Sequence, residues 1–412
     1  MFHLHNGIRA YHWGSTDAIS RLLGYGTDIS PQAELWLGAH PGNPSRVEST
    51  GQALDELISS DPERFLGSPV SDRFGQLPFL MKVLAAARPL SIQVHPSLTE
   101  AREGFEREDD AGIAHDAAHR NYKDANHKPE MLYALGDFVA LSGFREPLRI
   151  LEDLQAVRPQ LTGQAAATCD ELVSVLESGQ DPLGQALRLV LTGGEPVRLL
   201  AQQLADRIHA DPELSRQPQL AEVRWAAGYY PADPGVLVAL LMNVVTLEAG
   251  EAIALGSGNI HAYLRGLGIE VMANSDNVLR GGLTSKHIDV PELLAITRTE
   301  PGQPCRLPAQ PLGADNNLFT PDFEEFRLQV IDTPDGSSGD THSLVADGGA
   351  IALCTAGSFT LKGDGQQLLV QRGESVFLPA GVDYQVTSGG TGPATLFVAS
   401  TRPVTNRLPA TG

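Results

Sequence analysis

The chain has 412 residues, 42% hydrophobic and 19% charged, and its 30 basic and 50 acidic side chains give a net charge of -20. This length allows two or three domains and enough core to fold without a disulfide or a metal, and the composition excludes a chain disordered throughout. The acidic balance argues against nonspecific binding to nucleic acid or an anionic membrane, while a local basic pocket for an anionic substrate remains compatible with it.

Residues 1 to about 145 mix strand-like runs with turn signals. LPFLMKVLAAARPLSIQV (Leu77 to Val94) reads as two apolar runs separated by Arg88 and Pro89, and a short helix opens near Pro96, with Glu100 and Arg102 on a solvated face. From about 146 to 228 apolar residues recur at helical spacing, as in Leu148, Ile150, Leu151, Leu154 and Val157, which predicts a helical insertion of about five helices. Strand signals return after Pro231. Val244 to Leu255 reads as two strands about a Glu-Ala-Gly-Glu turn, and His261 to Ala273 repeats the pattern. Residues 320 to 405 alternate strands with Gly-rich turns, as expected of a sandwich or jelly roll. An internal echo links LEAGEAIALGSGNIHAYL to VQRGESVFLPAGVDYQV, so two jelly-roll units of similar design are expected. Only the first carries a His at the end of the turn; the second has Val382 and Asp383.

The 42 glycines and 28 prolines fit a turn-rich, mainly β chain. Cys169, Cys305 and Cys354 lie far apart, which argues against a disulfide framework or a thiolate zinc site and fits a reducing compartment. The N-terminus shows no basic region followed by an apolar run. The longest apolar stretch, Val236 to Leu247, contains Asn243 and is too short to span a bilayer. A soluble cytoplasmic protein is the expectation.

Four segments could carry chemistry. In SIQVHP, Ser91, Gln93 and His95 share one strand face, with Ile92 and Val94 turned to the core; the polar face is either a hydrogen-bonded strand end or a source of two metal ligands. In NYKDANHKPEM, Pro129 biases Lys128 toward extended backbone, so Lys128 and Glu130 share a face, in a solvated loop or at a metal. His261, at the turn before AYL, is either structural or a third ligand. Imidazole, carboxylate and amide oxygen together suit zinc or another divalent first-row metal. In EVMANSDNVLRGGLTSK, Arg280 and Lys286 are candidate anion binders beside glycines that allow close approach; GGLTSK lacks the spacing of a phosphate-binding Walker loop. Near the N-terminus, Tyr11, Trp13, Glu34 and Trp36 either line a sugar pocket or plug the core; Tyr11 and Trp36 are assigned to the core, Trp13 and Glu34 to the substrate with Ser91 and Lys286.

Taken together and in this order, AYHWGS, AELWLGAHP, LPFLMKVLAAARPL, SIQVHP, NYKDANHKPEM, the His-Ala-Tyr turn and EVMANSDNVLRGGLTSKHIDV resemble the type I mannose-6-phosphate isomerases, a family of the cupin superfamily. The resemblance runs from Tyr11 to about Val290 and loosely to the end. It implies two cupin-like jelly-roll β domains with a helical insertion: a discontinuous catalytic unit at 1–145 and 229–319, a helical unit at 146–228, and a C-terminal unit at 320–412 without a metal site. It further implies a monomer with one zinc per subunit and a phosphosugar as its partner, with no nucleic acid or membrane. The reaction is interconversion of mannose 6-phosphate and fructose 6-phosphate through a cis-enediol. Carried over, Gln93, His95, Glu130 and His261 hold the metal, and Arg280, Lys128, Glu270 and Lys82 are catalytic. The chain departs from the family at Asn259-Ile260-His261, where Pro usually precedes the His, and at Ala125, where Pro or Asp is common. A noncatalytic sugar-binding bicupin and a cupin oxygenase are the rival readings.

Overall fold

The computed structural model describes residues 1–26, 30–333, 339–390 and 392–403. In chain order the strands that build and support the site are β1 (Phe2–His5), β2 (Gly7–Arg9), β3 (Glu34–Gly38), β4 (Arg46–Val47), β5 (Phe79–Ala86), β6 (Ile92–Val94), β7 (Glu130–Ala134), β8 (Phe138–Phe144), β9 (Met242–Leu247), β10 (Ala252–Leu255), β11 (His261–Ala273) and β12 (Leu279–Gly282). The described residues form three antiparallel sheets, of eleven, eight and four strands.

In the eleven-stranded sheet, β7, β11, β5, β3 and β2 lie side by side. Alternation along each strand sorts side chains between two buried faces. Leu35, Leu37, Met81, Val83, Ile269 and Val271 pack with Phe319, Phe326, Leu328 and Phe397 in one hydrophobic cluster. Their alternates Glu34, Trp36, Lys82, Leu84, Glu270 and Met272 face a cleft. Both faces are thus covered, and the polar members of the second face gather where a ligand can reach them.

The His261–Ala273 segment is one thirteen-residue strand rather than two. Its first residues pair with β8 and β6, and Gly266 to Ala273 pair with β5. The ladder shifts register between Tyr263 and Arg265. Gly266 sits at φ 134°, and a Cβ there would lie 2.4 Å from the Phe138 ring; glycine lets the strand cross β8 at this bend. One strand thus carries both Glu270, which lines the cleft, and His261, which stands behind it at Glu130.

Pro147 to Tyr229 holds six α-helices and a short 3-10 turn, and a further helix, Gly235–Leu241, precedes β9. The expectations of five helices and of strand from Pro231 onward are corrected: the apolar Val236–Leu247 stretch is half helix, half strand. Its helical half is buried on all sides, so no amphipathic period marked it. The helical core is continuous with Ile92, Val94, Leu279 and Leu283, behind the strand that carries Gln93. Val244 to Leu255 is not a hairpin: β9 pairs with β8, whereas β10 pairs with β7. The expected helix after Pro96 spans Leu98–Asp110, and Glu100 closes a capping box by accepting from Ser97 N at 2.7 Å. Glu100 is therefore a cap rather than half of a solvated charge pair.

The strand-rich C-terminal region follows, with residues 404–412 outside the described residues. The strands β1 and β4, and Gln310–Gly313 and Asn316–Phe319, belong to the eight-stranded sheet with Arg327–Thr333 and Ala394–Ser400. No helix of the described residues is long and apolar enough to cross a membrane.

Candidate metal centre and substrate cleft

A row of register partners builds one wall. Arg280 on β12 pairs with Gln93 on β6, and Gln93 pairs with His261 on β11. Glu130 opens β7 and pairs with Met272 and Leu255. His95 follows β6 and is 1% exposed, as are Glu130 and His261.

The two imidazoles are oriented by main-chain carbonyls. His95 Nδ1 lies 2.7 Å from Asn277 O, and His261 Nδ1 lies 2.9 Å from Asn259 O. A carbonyl only accepts, so in the neutral ring the proton is on Nδ1 and the Nε2 lone pair points inward. Those lone pairs face the carboxylate: His95 Nε2 is 3.2 Å from Glu130 Oε1, and His261 Nε2 is 3.4 Å from Glu130 Oε2. His95 Nε2 is buried and makes no hydrogen bond despite that proximity. Burial, then the Lys128 ammonium, lowers the His95 pKa to about 4, so this ring is neutral at physiological pH.

Two lone pairs and a carboxylate converging in a dry interior repel one another unless a cation lies between them. His95, Glu130 and His261 are placed so that they could hold a metal ion, their ligand atoms within 4.8 Å of one another. The Gln93 amide is 3.3 Å from His261 Nε2, and a half-turn of that amide exchanges its nitrogen for an oxygen. The donor set of two imidazoles, a carboxylate and an amide therefore fits a divalent metal such as zinc.

The cleft in front of this group has a volume of about 260 Å³. Of the residues singled out from sequence, Trp13, Glu34, Lys82, Ser91, Gln93, Lys128, Glu130, Glu270, Arg280 and Lys286 line it; His95 and His261 stand behind them, at Glu130. Lys128 Nζ is 3.0 Å from Glu130 Oε1. Burial would raise the Glu130 pKa, but the Lys128 ammonium and His95 hold it well below the usual carboxylate range.

Lys82 lies over the Trp36 ring at 5.3 Å and reaches Glu270 Oε2 at 2.8 Å and Glu34 Oε1 at 3.8 Å. Burial opposes its charge, yet Glu270 and then Glu34 raise its pKa. For Glu270 burial wins: its carboxyl is raised above the ordinary value although Lys82 pulls it down. Arg280 and Lys286 make no ion pair with described side chains; burial lowers both pKa values, and Arg280 lowers that of Lys286 further. Arg280 stays a cation regardless.

Tyr11 is corrected from core to cleft mouth: it is 36% exposed and stacks on Trp13 at 5.6 Å. Trp36 is buried against Leu80 and Met272, yet it also lines the cleft and donates from Nε1 to Glu34 at 2.7 Å. Sequence reasoning missed Tyr263, whose hydroxyl is 3.5 Å from Glu130 Oε2. It also missed Asp276, at the cleft and 3.6 Å from His40 Nε2, and Asn277. The last two stood unremarked inside the segment from Glu270 to Lys286.

The family described as phosphomannose isomerase type I, catalytic domain, matches residues 1–147. A mannose-6-phosphate isomerase of Escherichia coli (strain K12) is 41% identical over 383 residues, covering 91% of this chain and 94% of that one. The crystal structure of a point variant of phosphomannose isomerase from Salmonella typhimurium superposes with a TM-score of 0.87 at 37% identity, covering 98% of this chain and 99% of that one. A mannose 6-phosphate isomerase bound with zinc and yttrium gives 0.86 at 36% identity over the same shares. Identity at this level over nearly the whole of both chains, with a metal-ready group at the cleft, has one reading: the chain belongs to the mannose-6-phosphate isomerase family.

Proposed function

We infer that this chain is a zinc-dependent aldose–ketose isomerase that interconverts mannose 6-phosphate and fructose 6-phosphate through a cis-enediol. The observation that carries the reading is the convergence of two imidazole lone pairs and a carboxylate beside a cleft holding two cations, Arg280 and Lys286, that make no ion pair with described side chains. We propose that Gln93, His95, Glu130 and His261 hold one zinc, which when bound polarises substrate oxygens as a Lewis acid.

The reaction moves a proton between C1 and C2 and another between O1 and O2. Glu270 is proposed as the carbon base, its proton affinity raised by burial and its orientation held by Lys82. Lys128 is the proton donor at the substrate oxygens. Arg280 stabilises the charge that develops on oxygen as the enediol forms, and Lys286 binds the phosphate. Trp13 packs beside the sugar, with Glu34 and Ser91 as hydrogen-bond partners for its hydroxyls.

The architecture is proposed as two cupin-like units. The catalytic unit is drawn from 1–145 and 229–319, the helical unit from 146–228, and the C-terminal unit from 320 onward, together with the strands that share its sheet. The chain is proposed to act as a monomer. An anaerobic assay of mannose 6-phosphate turnover with metal analysis tests the function: turnover without oxygen, with zinc bound, supports it. A metal-bound protein that consumes oxygen, or one that binds the sugar without turnover, contradicts it.

A further inference from the structure

Asn277 is fully buried and joins two parts of the site that are far apart in sequence. Its main-chain carbonyl is the group that orients the His95 ring. Its side-chain oxygen accepts from Lys123 N at 2.6 Å and Asp124 N at 3.2 Å. Its side-chain nitrogen donates to Asp124 O at 2.7 Å and Asn126 O at 2.8 Å. Both lone-pair directions and both amide protons are used, which is all an asparagine side chain can offer. The segment it grips, residues 123–126, leads directly into Lys128 and Glu130.

We propose that Asn277 is a positioning residue that fixes the His95 ring and the loop delivering Lys128 and Glu130 in one mutual geometry. The proposal rests on the zinc isomerase reading above. Removing the side chain leaves the Lys123 and Asp124 amides and the Asp124 carbonyl without that partner in a part-buried setting, while Asn126 O keeps Ser275 Oγ, and groups left so are costly until the loop moves to satisfy them. The loop and the carbonyl that holds His95 then shift relative to one another. Partners that orient a metal-ligating histidine typically matter about 10–100-fold in metal affinity.

The test compares wild type with Asn277→Ala, both zinc-loaded. Zinc release is followed by competition with a chromogenic chelator, and turnover is measured with mannose 6-phosphate and its 2-deuterated form. The variant is expected to bind zinc about 10–100-fold more weakly. At saturating zinc, kcat falls at least about tenfold while KM stays within about threefold, and the deuterium effect on kcat grows because proton transfer limits more of the turnover. Should Asn277→Ala fail to fold, Asn277→Asp keeps the acceptor for the two loop amides and loses both donated bonds; the same changes are expected there. A folded variant with wild-type zinc affinity and an unchanged isotope effect, differing only in thermal stability, overturns the proposal. Wild-type protein that takes up no zinc instead overturns the reading beneath it.

Discussion

Lys82 and Glu270 are register partners on adjacent antiparallel strands, and their side chains meet at 2.8 Å with less than a tenth of either exposed. Removing the cation takes from the buried Glu270 carboxylate, and from Glu34 beside it, their shared ammonium, and leaves Tyr263 as the neighbour of Glu270. Lys82→Met is expected to cost about 3–5 kcal/mol of stability if Glu270 stays ionised, and less if it takes up a proton. The sign for activity is fixed. Burial already raises the Glu270 pKa, and Lys82 is the largest influence pulling it down, so losing Lys82 raises it further. If Glu270 is the carbon base, the acid limb of the kcat/KM profile moves to higher pH in the variant; an unmoved limb rejects that role.

Arg280 separates two roles by kinetics. If its guanidinium stabilises the enediolate, Arg280→Lys lowers kcat about 100-fold or more with little change in KM. If it only anchors phosphate, the same change chiefly raises KM. The first outcome is expected, because Lys286 is the nearby cation free to hold the phosphate. Wild-type kinetics would reject both.

Lys286 gives a pH dependence on the alkaline side. Burial and Arg280 lower its pKa below the ordinary lysine value, so its charge is lost at lower pH than for a free lysine. KM for mannose 6-phosphate should therefore begin to rise below the usual lysine range, and Lys286→Gln should show a raised KM without that limb. A limb that persists in Lys286→Gln assigns it to another group.

Gly266→Ala tests the point at which β11 passes from β8 to β5. The added methyl meets the Phe138 ring at 2.4 Å, on backbone that L side chains rarely adopt. A loss of more than about 2 kcal/mol in denaturant unfolding is expected. An unchanged unfolding midpoint would show that the strand crosses β8 without needing glycine.

Much of the site was legible because its residues sit where local rules apply. Ser91 and Gln93 alternate with Ile92 and Val94, and that period alone sends one set to the cleft and the other to the core. The family motifs then tied these residues to Glu130, His261 and Arg280. Pairing was not legible: the Glu-Ala-Gly-Glu turn looked like a hairpin, yet β9 and β10 pair with different partners, which only tertiary packing decides. His261 to Ala273 reads as two strands about a turn because a glycine inside a strand and one that ends it carry the same letter. Tyr11 was placed in the core because aromatic character does not report exposure. Asn277 carried no signal of its own, since its importance depends on which loop it meets.

Turnover by this chain depends most directly on the metal. Dialysis against a chelator should abolish mannose 6-phosphate turnover, and about one equivalent of zinc per chain should restore it. His95→Ala should fail to retain that zinc, whereas His342→Ala, in the C-terminal strand region, should keep it. Full turnover by metal-free protein, or unaltered zinc retention in His95→Ala, would contradict the account.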